Sequence, residues 1–142
     1  MRKKKEVYVP YNYVFFQPNP SWKGKGKYRH QDCPIRAICA ATEKSWEEVY
    51  DLLCETGKEV CDAPTSDQSV ERAMSKLGFE KCSVKVTKGS TRPDPCHLTE
   101  EKWNKRLVMR VANHLVGGRG GKYYDCWNCG EKGIYTYYQK DM

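Results

Sequence analysis

The sequence predicts a single α+β domain in which helices from the first half pack on an antiparallel sheet from the second. Three observations carry this. The 142 residues suit one domain and leave little for a second core. Between residues 32 and 78 apolar side chains recur at helical spacing behind recognisable start signals. From 107 to 138, short runs of β-formers are separated by Gly and Asn. The chain therefore divides into a basic arm and loop (1–31), a helical part (32–78) and a sheet part (79–142).

Residues 6–17 hold Val7, Tyr8, Val9, Tyr11, Tyr13, Val14, Phe15 and Phe16 around Pro10, the composition of an edge strand or extended arm. Residues 18–31 switch to Pro, Gly and Lys, a loop long enough to be functional. The first helix opens at Asp32-Cys33-Pro34, where Asp32 or Cys33 caps and Pro34 suits the first turn. Ser45-Trp46-Glu47-Glu48 has the form of a capping box, Trp46, Val49, Tyr50 and Leu53 share one face, and Gly57 is the expected stop. A third helix starts with a similar signal at 65–68, continues through Val70, Ala73, Met74 and Leu77, and ends at Gly78. Cys82, Val84 and Val86 alternate as a strand, Pro93 and Pro95 mark a loop, and 99–103 suit a short helical turn. Strands are then expected at 107–111, 114–118, 122–127 and 133–138.

Lys and Arg number 25 against 18 Asp and Glu, a net charge of +7 that favours acidic partners. No apolar run approaches the roughly 20 residues of a membrane-spanning helix. The basic start is followed by Glu6, Tyr8 and Pro10 in place of the apolar core of a signal peptide, so a cytoplasmic setting is expected. In that setting the eight cysteines are reduced thiols rather than a disulfide framework.

One of them sits where a thiol is easily ionised. Cys33 falls at a helix N-terminus, where unpaired backbone N–H groups and the positive end of the helix dipole favour thiolate. Residues 113–125 read as a hairpin centred on Arg119-Gly120. With Gly118 paired to Gly121, His114 falls directly opposite Asp125, Cβ atoms roughly 4.5–5.5 Å apart on one face. A three-residue loop would oppose His114 with Cys126 and turn Asp125 away. Cys33, His114 and Asp125 then supply nucleophile, general base and the carboxylate that orients the base.

The segments Asp32-Cys33-Pro34-Ile35-Arg36-Ala37-Ile38, Thr42 to Leu53, Asn113-His114-Leu115-Val116 and Tyr124-Asp125-Cys126-Trp127 carry a resemblance that spans residues 18–138. The chain resembles the small papain-like proteins of phages and Firmicutes, similar in layout to bacteriocin-leader (double-glycine) cysteine peptidases. The resemblance implies a papain-like fold, with Cys33 as nucleophile, His114 as base and Asp125 as orienter. It further implies hydrolysis of a peptide or isopeptide, no cofactor, and a host cytoplasm where the gene is a phage's. Such peptidases place an oxyanion-stabilising Gln about six residues before the nucleophile, a position held here by Lys27. Gln31, Gln17 and Asn19 are the remaining candidate donors.

Other readings compete. The same scaffold suits a catalytically silent interaction module or an inhibitor of a bacterial host protein. Arg2 to Lys5, and Lys23, Lys25, Lys27 and Arg29 interleaved with Trp22 and Tyr28, have the make-up of a nucleic-acid clamp, without a recognised motif. The same loop would equally draw in an acidic peptide. Cys126-x-x-Cys129 has the spacing of half a zinc site, with Cys96-His97 or Cys54 and Cys61 as completions, but no second CxxC exists and no metal is expected. Arg36 is expected to pair with Asp32 or Glu48, Trp127 to cap the core beside the triad, and Tyr135, Tyr137 and Tyr138 to lie in the sheet.

Overall fold

The computed structural model describes residues 10–25 and 30–142. Expectations for Arg2 to Lys5, for residues 6–9, and for Lys27, Tyr28 and Arg29 lie outside the described residues. In chain order the elements are β1 (Tyr13–Phe15), α1 (Cys33–Thr42), α2 (Trp46–Val60), α3 (Asp67–Lys76) and β2 (Glu80–Ser83), then α4 (Pro95–Glu101), β3 (Lys105–Val111), β4 (His114–Arg119), β5 (Lys122–Asp125) and β6 (Thr136–Asp141). The six strands form one sheet in the order β1-β5-β4-β3-β6-β2. The class is α+β, as the sequence implies. The sheet is not purely antiparallel, because the N-terminal strand β1 joins its edge parallel to β5.

Alternation along the central strands divides the core in two. Val108 and Leu115 point toward Ile38, Val49, Leu53, Val70 and Met74 of α1 to α3. Leu107, Met109, Val111 and Val116 point the other way, to Leu98 of α4 and to Tyr123 and Ile134. Both faces are thus covered, which is why 107–111 reads as a continuous apolar run interrupted only by Arg110. Each fully buried large aliphatic side chain contributes about 1.5–3 kcal/mol. On β6, Tyr138 is buried while Tyr137 is half-buried, and Tyr135 just before the strand is exposed.

Several boundaries move from their expected places, each for a local reason. Helix α2 continues through Gly57 to Val60 and ends on Cys61 in the left-handed region, φ 58°. Gly57 instead lets the following loop close on the helix, since a Cβ there would lie 2.8 Å from the Asp62 carbonyl oxygen. The cap of α3 is Ser66, one residue later than the expected signal, with its hydroxyl accepting from the Ser69 amide. Helix α4 begins before 99 because Asp94 accepts from the His97 amide and Pro95 follows it. Strand β2 lies earlier than Cys82 to Val86, β5 ends at Asp125 instead of 127, and β6 begins at Thr136 instead of 133.

Helix α1 runs alongside β4 in the same direction. Cys33 sits level with His114 and Leu115, Ala37 with Gly117, and Ala40 with Arg119, whose guanidinium donates to the Ala40 carbonyl. The approach is close: a Cβ on Gly117 would fall 2.0 Å from the Ala37 carbonyl oxygen, so only glycine fits. That contact sets the start of the helix beside the start of the strand.

Candidate active site

Cys33 is the first residue of α1, and Asp32 is its N-cap by position without making a side-chain cap. The Asp32 carboxylate turns inward instead, accepting from Arg36 Nη1 at 2.7 Å, Trp46 Nε1 at 2.9 Å and Asn19 Nδ2 at 3.0 Å. The first amides of α1 therefore keep their positive end toward the sulfur, uncompensated by a capping carboxylate.

His114 opens β4 directly after a two-residue turn in which Asn113 adopts φ 53°. The β4–β5 hairpin differs from the expected one. Arg119 pairs with Lys122 and Gly118 with Tyr123, so the loop is Gly120-Gly121, both with positive φ, instead of Arg119-Gly120. Continued, this register sets Asp125 beside Val116 and not directly opposite His114. The slip is two residues, which preserves the face, and the diagonal is still short enough to bridge. His114 Nε2 donates to Asp125 Oδ2 at 2.5 Å.

The carboxylate of Asp125 is held from every side. Oδ1 accepts from Arg36 Nε at 2.8 Å and from the Cys126 amide at 2.7 Å, while Oδ2 accepts from His114 and from the Cys129 thiol at 3.4 Å. Arg36 thus pairs with Asp32, as anticipated, and additionally with Asp125, while Glu48 serves the Ser45 capping box. Asp32, Arg36, His114 and Asp125 are 4, 4, 8 and 1% exposed, so this is a buried charge cluster.

With Nε2 committed to Asp125, Nδ1 is the ring nitrogen left to serve Cys33, which lines the same cleft. Burial works against ionising the Cys33 thiol. Hydrogen bonding with His114 and the Leu115 backbone, with the charges of His114 and Arg36, outweighs it and brings the thiol below its ordinary value. Burial likewise opposes the imidazolium, yet the hydrogen bonds and charges of Asp125 and Cys33 lift His114 to about 9. Asp125 is pulled below the usual carboxylate range, against burial, by the His114 hydrogen bond and the Arg36 charge. Cys39, Cys96, Cys126 and Cys129 go the other way, each pushed up first of all by burial. The lowered thiol and the raised imidazole both favour a thiolate at Cys33 beside an imidazolium at His114.

Cys33, Arg36, His114 and Cys126 line a cleft of about 510 Å³ together with Gln31, Thr65, Asn113 and Trp127, and none of its described lining residues is acidic. Trp127 does not cap the core: its half-exposed ring packs on His114 at 4.7 Å between centroids. An adjoining depression of about 460 Å³ shares His30, Gln31 and Thr65 with the cleft and is lined by Ile35, Trp46 and Tyr50.

The three candidate oxyanion donors separate. Gln31 lines the cleft beside Cys33. Gln17 carries a buried side-chain nitrogen with no hydrogen-bond partner among the described residues. Asn19 is a fastener of its own loop, donating to Asp32 and accepting from the amide and hydroxyl of Ser21.

Metal and nucleic-acid readings find less. Cys126 faces the cleft while Cys129 is buried under Asp125, so the CxxC does not present a ligand pair. His114, Asp125 and Cys129 have ligand-type atoms within 4.8 Å of one another, but Arg36 occupies the same carboxylate and burial keeps Cys129 a thiol. Asp94, Cys96 and His97 also cluster, at the capped start of α4. Lys23 and Lys25 are exposed, while Trp22 packs against Phe15 at 5.4 Å.

Sequence reasoning missed the roles of Arg36, Cys126 and Cys129 around Asp125. Arg36 lies three residues after Cys33, one helical turn on, which is a signal in retrospect; the other two depend on how the chain turns after β5. Comparison with family models, curated proteins and solved structures finds no match to this chain.

Proposed function

We propose that this chain is a papain-like cysteine hydrolase that cleaves a peptide or isopeptide bond through Cys33, His114 and Asp125. The observation that carries the reading is the convergence on one cleft of a thiol at a helix mouth and an imidazole whose Nε2 is held by a buried carboxylate. A helix with a cysteine at its first turn, laid along a strand that brings the histidine, is also the arrangement the papain-like resemblance implies.

In the reaction, the Cys33 thiolate attacks the substrate carbonyl carbon to form a C–S bond, and the carbonyl electrons move to oxygen. The Cys33 backbone N–H, free of an intrahelical partner, and a Gln31 or Gln17 amide would stabilise that oxyanion. His114 donates its Nδ1 proton to the departing amine as the C–N bond breaks, leaving a thioester. Water then gives a proton to His114 and attacks the thioester, and the acid leaves as Cys33 regains its thiolate. Asp125 keeps the ring in the orientation both transfers need.

The cleft favours a peptide over a nucleic acid. Its apolar extension over Ile35, Trp46 and Tyr50 suits a side chain of a bound peptide, and the lack of acidic residues among the described lining of the cleft itself tolerates acidic ones. A working thiolate fits a reducing, cytoplasmic setting, of a host cell in the phage case.

The test is to incubate the protein and Cys33→Ala with a mixed peptide library and read new termini by mass spectrometry. New termini with the unmodified protein alone are expected; ammonia release without new termini would mark deamidation by the same residues. An unchanged library, together with iodoacetamide labelling of Cys33 no faster than that of exposed Cys61, would overturn the reading.

A further inference from the structure

We propose that Arg36 is a positioning residue for the reaction: its guanidinium, clamped between Asp32 and Asp125, holds the Asp125 carboxylate so that Oδ2 faces His114, and locks that pair to the helical turn carrying Cys33. The inference rests on the cysteine-hydrolase reading and adds a residue that the triad alone does not require.

The geometry points to this in three ways. Cys33 and Arg36 are three residues apart on α1 and share a face, so one turn of helix carries both the nucleophile and the clamp. From there Nε reaches Asp125 Oδ1 at 2.8 Å and Nη1 reaches Asp32 Oδ1 at 2.7 Å. Asp32 is itself held by Trp46 and Asn19, so the guanidinium is gripped at both ends. A carboxylate has about four lone-pair sites, and those of Asp125 meet Arg36, the Cys126 amide, His114 and Cys129. Without Arg36, only a backbone amide restrains Oδ1 and the carboxylate loses the donor that ties it to the helical turn of Cys33.

Charge gives the same answer. Two buried carboxylates, Asp32 and Asp125, flank the guanidinium, and Arg36 offsets one of them. Removing the cation leaves a more negative surrounding that disfavours thiolate at Cys33. Lysine would restore the charge but not the fork, since an ammonium cannot present two donors in one rigid plane.

A purely structural ion pair would change stability and leave the reactivity of a still-folded protein untouched, so the readout is the pH profile of Cys33 alkylation by iodoacetamide. The comparison takes the unmodified chain, His114→Ala, Arg36→Gln and Asp125→Asn, and Arg36→Gln combined with Asp125→Asn, each checked for folding by circular dichroism. Arg36→Gln is expected to slow Cys33 alkylation at about pH 6 by about tenfold and to move the profile to higher pH. In the Asp125→Asn background it should cost clearly less, because orientation through that carboxylate is already lost and only the direct charge of Arg36 on Cys33 remains. An Arg36→Gln profile that overlays the unmodified one, or an equal loss with and without Asp125, overturns the proposal. Should Arg36→Gln fail to fold, Arg36→Lys keeps the buried cation and is expected to fall between the two; a fully unmodified profile there overturns the need for the fork. If His114→Ala leaves the profile of the unmodified chain unchanged, the hydrolase reading itself fails. If it moves the profile and the Arg36 variants do not, only the role of Arg36 fails.

Discussion

Two sets of ion pairs use the same side-chain chemistry in this molecule. On the outer flank, Lys76 bridges Glu55 and Glu59, and Arg72 meets Glu59, joining α2 to α3 across partly exposed side chains. Beside the cleft, Asp32, Arg36, Asp125 and His114 form a chain of contacts almost wholly shielded from water. Exposed pairs contribute about 0–1 kcal/mol, because water screens them and long side chains lose freedom. A buried set costs desolvation, and breaking it strands a charge, so each partner holds the others in place. The difference teaches that burial, not pairing, turns ionic contacts into orientation: the flank pairs fasten a surface, while the inner set aims a carboxylate at a ring and a ring at a thiol.

The comparison can be broken most sharply at its inner end. Asp125→Asn should lower peptide hydrolysis by about 10⁴-fold, because an amide in that place reverses the preferred tautomer of His114; steady-state rates on a cleaved library peptide check it. Asp32→Ala should destabilise the fold by about 3–5 kcal/mol in urea unfolding, since it leaves Arg36 half-unpaired in the interior.

The third expectation concerns pH. His114 is raised from 6.5 to about 9, so its charged form contributes stability that is full below 6.5 and is lost as pH climbs through about 9. Asp125 has the opposite sense: lowered from 3.8, it contributes above that value and loses its contribution as pH falls through its folded value. Urea unfolding should therefore show the stability gap between the unmodified chain and His114→Asn shrinking from about pH 6 to about pH 10. A gap that stays constant would mean that folding leaves the affinity of the ring for its proton unchanged. The smallest effect belongs to the flank, where Lys76→Met should shift urea unfolding far less than Asp32→Ala does. A loss as large as that of Asp32→Ala would erase the distinction between the two sets.

Much of the architecture was legible because short-range rules govern it. The start of α1 at Asp32-Cys33-Pro34, the capping box at Ser45 and the stop at Gly78 follow from backbone chemistry within a few residues. The misread positions depend on distant neighbours. Gly57 looks like a helix end, yet it is small because the loop at Asp62 and Pro64 folds back on it. The hairpin register was misplaced because Arg119-Gly120-Gly121 allows two loops, and pairing with β3 and β1 contributes to the choice. The His114–Asp125 pairing survived because a slip of two residues keeps both side chains on one face, whereas a slip of one would have lost it.

The sequence by itself determined the α+β class, the thiol at a helix mouth, and the presence of a histidine and an aspartate on neighbouring strands, since each is set by patterns within a dozen residues. Only the tertiary structure decided that Arg36 reaches across to Asp125, that Asp32 faces inward instead of capping its helix, and that Trp127 covers the imidazole instead of the core. Those contacts span up to 89 residues of chain and exist because α1 lies against Gly117 of β4, an approach that no local pattern encodes.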